Sequence, residues 1–271
     1  MSTAETGDQE VVLAAVVDHV LVVTINRPDA RNAVNLDVAR GLGAALHRAD
    51  LDPDVRAVVL TGAGEQAFCA GADLKALARG EPVETGPRPD DHSWGFAGYV
   101  RHHIGKPTIA AVNGVALGGG TELVIASDLA VAADTATFGL PEVRWGLIAG
   151  GGGAFRLPRL VPRKFAMELL LTGESIDAHE ALRIGLVNRV VGADRVLEAA
   201  LAMAARIAAN APLAVQASKT VATAVEGGIA TEETKLWRMS DQADQVMRAS
   251  KDAAEGTAAF AQRRPPTWQG S

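Results

Sequence analysis

The chain opens with two apolar runs that consist largely of β-branched residues. They lie between residues 11 and 26 and are separated by Asp18 and His19, a pattern that predicts a β-hairpin. Apolar side chains then recur at helical spacing over residues 36–49, which predicts a helix with one buried face. The continuous apolar run at residues 55–60 predicts a buried strand, and it ends in a loop punctuated by glycine.

Strand and helix patterns alternate through the middle of the chain. Residues 107–116 predict one strand, a helix follows the glycines at 118–120, and residues 128–133 predict another strand. This order indicates an α/β core. From residue 163 onward the pattern is helical throughout, which predicts a helical C-terminal part, and residues 265–271 are expected to be loose.

One long segment interrupts this alternation. A short helix is predicted to begin near Asp73, and residues 79–98 after it are rich in Gly, Pro and Asp. They predict a long loop, and loops of this length inside a compact domain are often functional.

Composition narrows the class of protein. Of the 271 residues, 48% are hydrophobic and 21% are charged, which suffices for a large core and excludes a globally disordered chain. The net charge of −6 disfavours nucleic acid as a partner, because phosphate binding requires a basic face. A single cysteine excludes an intramolecular disulfide framework and a multi-cysteine zinc site, and it fits a reducing, cytoplasmic compartment. The polar start lacks a signal-peptide pattern and no apolar run reaches 18 residues, so no membrane span is expected.

Glycine is concentrated in three loops, at residues 62–71, 114–120 and 146–153. Tight turns are one interpretation and nucleotide binding is a second. The second is disfavoured, because neither G-x-G-x-x-G after the first strand nor G-x-x-x-x-G-K-[ST] is present. A third interpretation is anion binding at residues 118–120, where a helix begins and its first amides lack partners. Without Cβ atoms, a ligand can approach this backbone closely.

Two glutamates strengthen the third interpretation. Glu122 lies in the first turn of the predicted helix, and Glu142 directly follows Pro141. Both stand within apolar sequence, where a carboxylate is costly to bury unless it is paired or functional. Two partly buried carboxylates beside an anion-binding backbone predict proton-transfer chemistry.

Several segments together resemble the crotonase, or enoyl-CoA hydratase/isomerase, superfamily. They cover nearly the whole chain and are, in order, NRPDARNAV, FCAGADLKAL, KPTIAAVNGVALGGGTEL, SDLAVAADTATFGLPEVRWGLI, GGGGAFRLPRLV and GTAAFAQRRPP. The resemblance implies a spiral of repeated ββα turns in a catalytic core over residues 1–195. It also implies that residues 196–271 form a C-terminal α-helical region that assembles homotrimers or hexamers. The substrate implied is an acyl-CoA thioester, with no further cofactor and no metal.

The resemblance also implies roles for individual residues. The backbone amides of Ala72 and Gly119 match an oxyanion hole, and Glu122 and Glu142 match the two catalytic glutamates of the hydratases. In that family, the pair holds a water over the C2=C3 bond of a 2-enoyl thioester. By analogy, Glu122 helps to activate the water and Glu142 delivers the proton to C2.

Further positions match the parts of the family's site that bind the substrate. The residues expected at coenzyme A are Ala70, Asp73, Leu74, Lys75 and Arg263. A solvated surface charge is the alternative for Lys75 and for Arg263. The residues expected at the acyl pocket are Trp145, Phe155 and Phe260, and core packing is the alternative for Trp145 and Phe260.

The sequence departs from the hydratase pattern after Glu142. It reads IAGGGGAFRL where hydratases read I-P-G-x-G-G-T-x-R-L, which leaves the acyl specificity open. The segments ADLKALARGE and FAQRRPPTWQG look most like the carnitinyl-CoA dehydratase branch. Cys69 stands beside the implied oxyanion loop, where packing is expected rather than a nucleophile.

The function expected is hydration of a 2-enoyl-CoA by an enoyl-CoA hydratase. Carnitinyl-CoA dehydratase and Δ3-Δ2-enoyl-CoA isomerase are the nearest alternatives. An isomerase needs one base and no bound water, so two glutamates weigh against it. A non-catalytic acyl-CoA-binding subunit is an alternative of a different class.

Overall fold

The predicted hairpin forms one edge of the main β-sheet. A computed structural model describes residues 10–88, 91 and 93–271. The first nine residues, and residues 89, 90 and 92 of the predicted loop, lie outside the described part. The strands within the described part are β1 (Val12–Val17), β2 (Val20–Ile25), β3 (Ala57–Gly62), β4 (Ala67–Cys69), β5 (Glu84–Thr85), β6 (Gly95–Phe96), β7 (Thr108–Val112), β8 (Val115–Leu117), β9 (Leu129–Ala133), β10 (Thr137–Gly139), β11 (Ser175–Asp177), β12 (Arg189–Val191), β13 (Val225–Glu226) and β14 (Ile229–Ala230).

Helices cover this framework and dominate its C-terminal half. Within the described part they are α1 (Leu36–Leu51), α2 (Leu74–Ala78), α3 (Gly119–Ala126), α4 (Gly153–Leu160), α5 (Arg163–Thr172), α6 (Ala178–Ile184), α7 (Val196–Ala208), α8 (Pro212–Thr223), α9 (Thr234–Arg248) and α10 (Lys251–Gln262). No single helix there is long and apolar enough to cross a membrane. One pair, residues 193–208 and 212–223, joined at a bend of 106°, has the necessary length and composition only when taken together.

The main sheet has the strand order β1-β2-β3-β7-β9-β12. Its strands pair in parallel except for the antiparallel hairpin β1–β2. Every residue of β3 and β7 is buried, which explains why both strands have continuous apolar sequences rather than alternating ones. Helix α7 packs against β2, β3, β7 and β9.

A second sheet runs beside the first, in the order β11-β10-β8-β4. In the middle of the chain, successive turns place one strand in the main sheet, the next strand in the second sheet, and then a helix. The successions β3–β4–α2 and β7–β8–α3 show this repeat. The expected α/β class and the spiral of ββα turns are therefore confirmed.

Two predicted segments are corrected by this architecture. Residues 107–116 form two strands, because the chain crosses from the main sheet to the second sheet at Asn113 and Gly114. The region after residue 163 is not helical throughout, because β11 pairs with β10 and β12 pairs with β9. The proposed division of the chain at residue 195 stays a prediction.

The end of the sequence is also more ordered than expected. The amide of Thr267 donates to Glu255 Oε1 at 2.7 Å, and the amides of Gln269 and Gly270 donate to the Asp252 carboxylate at 2.7 and 2.9 Å. Residues 265–271 are thus tied back along α10, and the expectation of a loose segment is wrong.

Helix α10 lies tightly against the 3₁₀ turn Pro141–Trp145, which carries Glu142. A Cβ atom at Gly256 of this helix would lie 2.1 Å from the carbonyl oxygen of Trp145. The glycine therefore permits a backbone contact that holds the turn in place.

We expect Gly256→Ala to lower the melting temperature, although alanine favours a helix by about 1 kcal/mol over glycine. Overpacking against the Trp145 carbonyl costs about 1 to 3 kcal/mol and forces α10 away from the turn. Gly105→Ala is the control, because its Cβ would meet its nearest neighbour at an ordinary 3.5 Å. Thermal unfolding of both variants decides the matter, and a melting temperature raised by Gly256→Ala would contradict the described packing.

Candidate active site

Three loops converge at one end of the second sheet. Strands β4, β8 and β10 are neighbours that pair in parallel, so the segments that follow them emerge side by side. A Cβ atom at Gly71 would lie 3.2 Å from the amide nitrogen of Gly119, and one at Gly118 would lie 3.2 Å from Glu142 Oε1. The two predicted oxyanion loops therefore adjoin each other, and Glu142 adjoins the second.

The amides of Ala72 and Gly119 have no hydrogen-bond acceptor among the described residues. Val34 donates to the carbonyl of Gly71 and accepts from the amide of Asp73, each at 2.8 Å, so its pairing passes over Ala72. Gly119 is the first residue of α3, where an N–H group has no partner within the helix. Two neighbouring free donors of this kind can stabilise a negatively charged oxygen.

Glu122 is held in a buried position in the first turn of α3, with 4% of its surface exposed. Its Oε1 accepts a hydrogen bond from the amide of Gly153 at 2.9 Å. A Cβ atom at Gly151 would lie 2.4 Å from Oε2, so the glycine loop fits closely around the carboxyl group. Burial, and next to it the charge of Glu142, raise the pKa of Glu122 to about 8.

Glu142 is half-buried on its 3₁₀ turn, but its Oε2 is shielded from solvent. Among the described residues, this is the buried side-chain oxygen that has no hydrogen-bond partner. Burial raises the pKa of Glu142 to about 7. Because the two glutamates interact, the pair favours a state with one proton near neutral pH, which provides an acid and a base together.

The residues predicted to contact coenzyme A lie in two separate parts of the fold. Ala70, Asp73, Leu74 and Lys75 lie beside Ala72 at the start of α2, while Arg263 lies at the end of α10. The Asp73 carboxylate is engaged, since it caps α2 and pairs with Arg27 at 3.0 Å. Burial works to raise the pKa of Asp73, but hydrogen bonds from Ala76 and Arg27 hold it below its usual value.

Three side chains of this set face solvent, and the two charged ones, Lys75 and Arg263, make no ion pair among the described residues. Leu74 and Lys75 are exposed at the start of α2, and Arg263 is exposed at the end of α10. The neighbouring Arg264, in contrast, pairs with Glu255 at 2.5 Å. Lys75 and Arg263 belong to different helices, and their shared contact with a coenzyme stays a prediction.

The predicted acyl-pocket residues also separate. Trp145 and Phe260 meet edge to face, with ring centroids 4.9 Å apart, across the contact between the 3₁₀ turn and α10. Phe155 instead packs against Trp237 of α9, with centroids 4.8 Å apart. Trp145 lies on the same turn as Glu142, and Phe260 contacts Trp145 there.

Two other contacts of the site were not predicted. The ring of Phe96, within the long segment 79–98, lies directly against Gly119, and no periodic pattern in that segment could have indicated it. The amide of Gly153 donates a hydrogen bond to Glu122. The glycine run at 146–153 is visible in the sequence, but the sequence indicates no role for it.

Cys69 is buried beside the loop that carries Ala72. The thiol is fully buried, and burial raises its pKa to about 12, so it stays protonated and is a poor nucleophile. Among the described residues, no group of three or more His, Cys, Asp or Glu side chains is arranged to hold a metal ion.

We expect Glu142→Gln to stabilise the protein at pH 8.5, by roughly 5 °C in melting temperature, and to have little effect at pH 5. Both carboxyl groups have pKa values raised above the ordinary 4.5, so the folded chain retains protons that the unfolded chain releases. Their stabilising contribution is complete below pH 4.5 and is lost as the pH rises through about 7 to 8. Glutamine stays neutral and avoids this loss.

Thermal unfolding at the two pH values measures the difference. Glu198→Gln, at an exposed position on α7, is the matched control and should change the melting temperature equally at both. An effect of Glu142→Gln that does not depend on pH would contradict a raised pKa in the folded state.

Comparisons with known proteins show the family to which the chain belongs. A family model described as enoyl-CoA hydratase/isomerase matches residues 16–271. Carnitinyl-CoA dehydratase of Proteus mirabilis is 42% identical over 254 residues, covering 93% of this chain and 95% of that protein. An enoyl-CoA hydratase of Mycobacterium tuberculosis is 41% identical over 273 aligned residues, covering 99% of both. A crystal structure described as carnitinyl-CoA hydratase from Mycobacterium avium has 53% identity and a TM-score of 0.94, covering 97% of this chain and 100% of that one.

These similarities extend over almost the whole chain, in sequence and in fold. The relatives are named as hydratases and as a dehydratase, enzymes that add or remove water. The chain belongs to the enoyl-CoA hydratase/isomerase family of the crotonase superfamily and is a hydro-lyase.

Proposed function

We propose that this enzyme adds water across the C2=C3 bond of a 2-enoyl-CoA thioester, with Glu122 and Glu142 as its acid–base pair. The observation that carries the proposal is the juxtaposition of two partner-free amides, at Ala72 and Gly119, with two glutamates of raised pKa. Charge stabilisation and proton transfer are the two requirements of this reaction, and the site offers both.

The amides would act on the thioester oxygen. Addition of water oxygen at C3 pushes the electrons of the double bond toward C2 and the thioester carbonyl, which becomes an enolate. The amides of Ala72 and Gly119 donate to that oxygen as the charge develops. Loss of one such donor typically costs about 10² to 10³ in rate.

The glutamates would move the protons. Glu122 takes a proton from the attacking water, and Glu142 gives a proton to C2, an assignment that follows the resemblance to the hydratases. One proton enters the pair and one leaves it, so the pair still carries a single proton after hydration. That proton is then on Glu122 and must be returned to Glu142 before the next turnover. The unpartnered Oε2 of Glu142 supports a role toward substrate rather than toward the protein.

The substrate would carry its own coenzyme, and we propose no further cofactor. Lys75 and Arg263 would meet the adenine end and a phosphate of coenzyme A, and their exposure without an ion pair among the described residues supports this. Trp145 and Phe260, which contact each other beside Glu142, would border the acyl group. A cytoplasmic location also stays a prediction.

Dehydration of carnitinyl-CoA is the second candidate. It would use the same two carboxylates in the reverse direction, and two of the similar proteins carry carnitinyl-CoA in their names. The isomerase alternative needs one base, and a non-catalytic subunit would not need the buried pair.

We also propose that the enzyme assembles as a homotrimer, or as a hexamer of two trimers. Helix α8 has no buried residue within the described chain, and its Leu213 and Val221 are 81% and 82% exposed. The neighbouring hairpin β13–β14 exposes Ile229 as well. We call α8 and this hairpin the α8 arm, and its exposed apolar side chains need a surface to cover them. A groove of about 860 Å³ lies beside the arm and is lined by both apolar and charged residues.

We expect the purified enzyme to consume crotonyl-CoA, measured as loss of the conjugated thioester absorbance. Glu122→Gln and Glu142→Gln should each lower kcat by roughly 10² or more, because each removes one half of the proton transfer. Glu198→Gln should retain wild-type kcat. No decay with the wild-type enzyme, or decay unaffected by Glu142→Gln, would reject the hydratase mechanism.

A substrate panel ranks the remaining candidates. A higher kcat/KM for carnitinyl-CoA than for 3-hydroxybutyryl-CoA would assign the dehydratase activity instead. Conversion of a 3-enoyl-CoA without net hydration would assign the isomerase.

We expect light scattering to give a mass of about three or six times the 28.1 kDa of the chain. Val221→Asp should reduce that mass, because a charge on the α8 arm opposes its burial in an apolar contact. Leu51→Asp, at an exposed position on α1, is the matched control and should leave the mass unchanged. A wild-type monomer would contradict the assembly.

A further inference from the structure

The predicted loop 79–98 contributes a fixed wall to the site. Among its described residues, Gly95, Phe96, Ala97 and Gly98 are all buried. A Cβ atom placed on Gly119 would lie only 2.3 Å from Cζ of Phe96 and 2.4 Å from its Cε1. The aromatic ring therefore presses on the backbone of the residue that is proposed to donate to the enolate.

Gly119 is confined from a second direction as well. A Cβ atom on Gly71, in the loop that carries the other proposed donor, would lie 3.2 Å from the Gly119 nitrogen. The first residue of α3 thus lies between the Phe96 ring and the Gly71 backbone. The ring blocks movement of the start of α3 toward Phe96, and the Gly71 backbone lies close on the side of the amide nitrogen.

Phe96 is itself rigidly supported. Ala97 has φ +59° and Gly98 has φ +61°, left-handed values that a non-glycine residue adopts only where its surroundings enforce them. The amide of Ala97 donates to the carbonyl of Val83 at 2.8 Å, and a Cβ atom on Gly98 would lie 2.4 Å from the carbonyl oxygen of Ala39. Strained backbone of this kind is concentrated at functional sites.

A stacked pair of rings anchors the same segment on its other side. Trp94 stacks on His102 with centroids 4.0 Å apart and planes 4° apart. Its ring also lies against Gly43 of α1, where a Cβ atom would approach Cε3 to 2.8 Å. Trp94 therefore packs against α1 and fixes the chain two residues before Phe96.

We propose that Phe96 is a positioning residue, which holds the Gly119 amide where it can stabilise the enolate. This inference rests on the proposed hydratase function and extends it to a residue that touches neither reacting carbon. A smaller side chain would leave room for the start of α3 to move, and the amide would lose its alignment with the thioester oxygen. Since the misalignment weakens a bond that strengthens in the transition state, it lowers kcat more than it weakens substrate binding.

Phe96→Ala and Phe96→Leu test the proposal together. We expect kcat with crotonyl-CoA to fall by roughly 10- to 100-fold in Phe96→Ala, with partial rescue by leucine. The Kd for butyryl-CoA, which cannot be hydrated, should change by less than about threefold. Phe165→Leu is the matched control, because that ring packs beneath Arg183 rather than on Gly119, and it should retain kcat.

Ultraviolet spectra of bound cinnamoyl-CoA provide a readout that a merely structural role would not move. Donors on the thioester oxygen polarise the conjugated system and shift its absorbance to longer wavelength. We expect a shift with the wild-type enzyme and with Phe165→Leu, and a smaller one with both Phe96 variants.

Wild-type kcat and shift in Phe96→Ala would overturn the positioning role, as would a loss of kcat that merely follows the melting temperature. A wild-type enzyme that shifts the spectrum without hydrating crotonyl-CoA would reject the hydratase proposal alone, whereas the absence of any shift would reject both.

Discussion

The lateral pairing of three short strands is the constraint on which the site depends. Strands β4, β8 and β10 have three residues each, and they pair side by side in the same direction. Because of this pairing, the loop that carries Ala72 lies beside the start of α3, and the start of α3 lies beside Glu142. Pairs this short have little stability of their own, so the main sheet and the helices around it must fix their register.

The site concentrates features that oppose folding. Two carboxyl groups interact in a buried environment, and one of their oxygens has no hydrogen-bond partner in the described part of the chain. Ala97 also has a left-handed backbone conformation. The completely buried strands β3 and β7 and the packing of α7 offset these unfavourable terms with a large apolar core. Strain and the burial of two carboxyl groups thus coincide at the place where the chemistry needs them.

Much of the fold could be predicted from local pattern, and the failures have specific physical causes. The hairpin β1–β2 and helix α1 follow from β-branched runs and from helical spacing. The sequence predicts one strand where the structure has β7 and β8, because only Asn113 and Gly114 separate two equally apolar runs. Strands β11 and β12 were missed because three residues carry no period, and it is their pairing partners that make them strands.

The candidate site divides in the same way. Glu122 and Glu142 are conspicuous in sequence because carboxylates rarely stand in apolar surroundings. The amides of Ala72 and Gly119 have no side-chain signature, so a family resemblance was needed to indicate them. The contact of Phe96 with Gly119 arises entirely from tertiary structure. The sequence of residues 79–98 has no pattern that indicates burial of the Phe96 ring.

The packing of α10 on the turn Pro141–Trp145 has a consequence for the order of folding. The two elements are more than a hundred residues apart, and such distant contacts form late because closing a long loop costs entropy. A partly folded chain that has built the strands through β10 would contain the framework of the enzyme but not its finished acid–base pair. Catalytic competence would therefore appear in refolding only after the bulk of the secondary structure, as a separate and slower event.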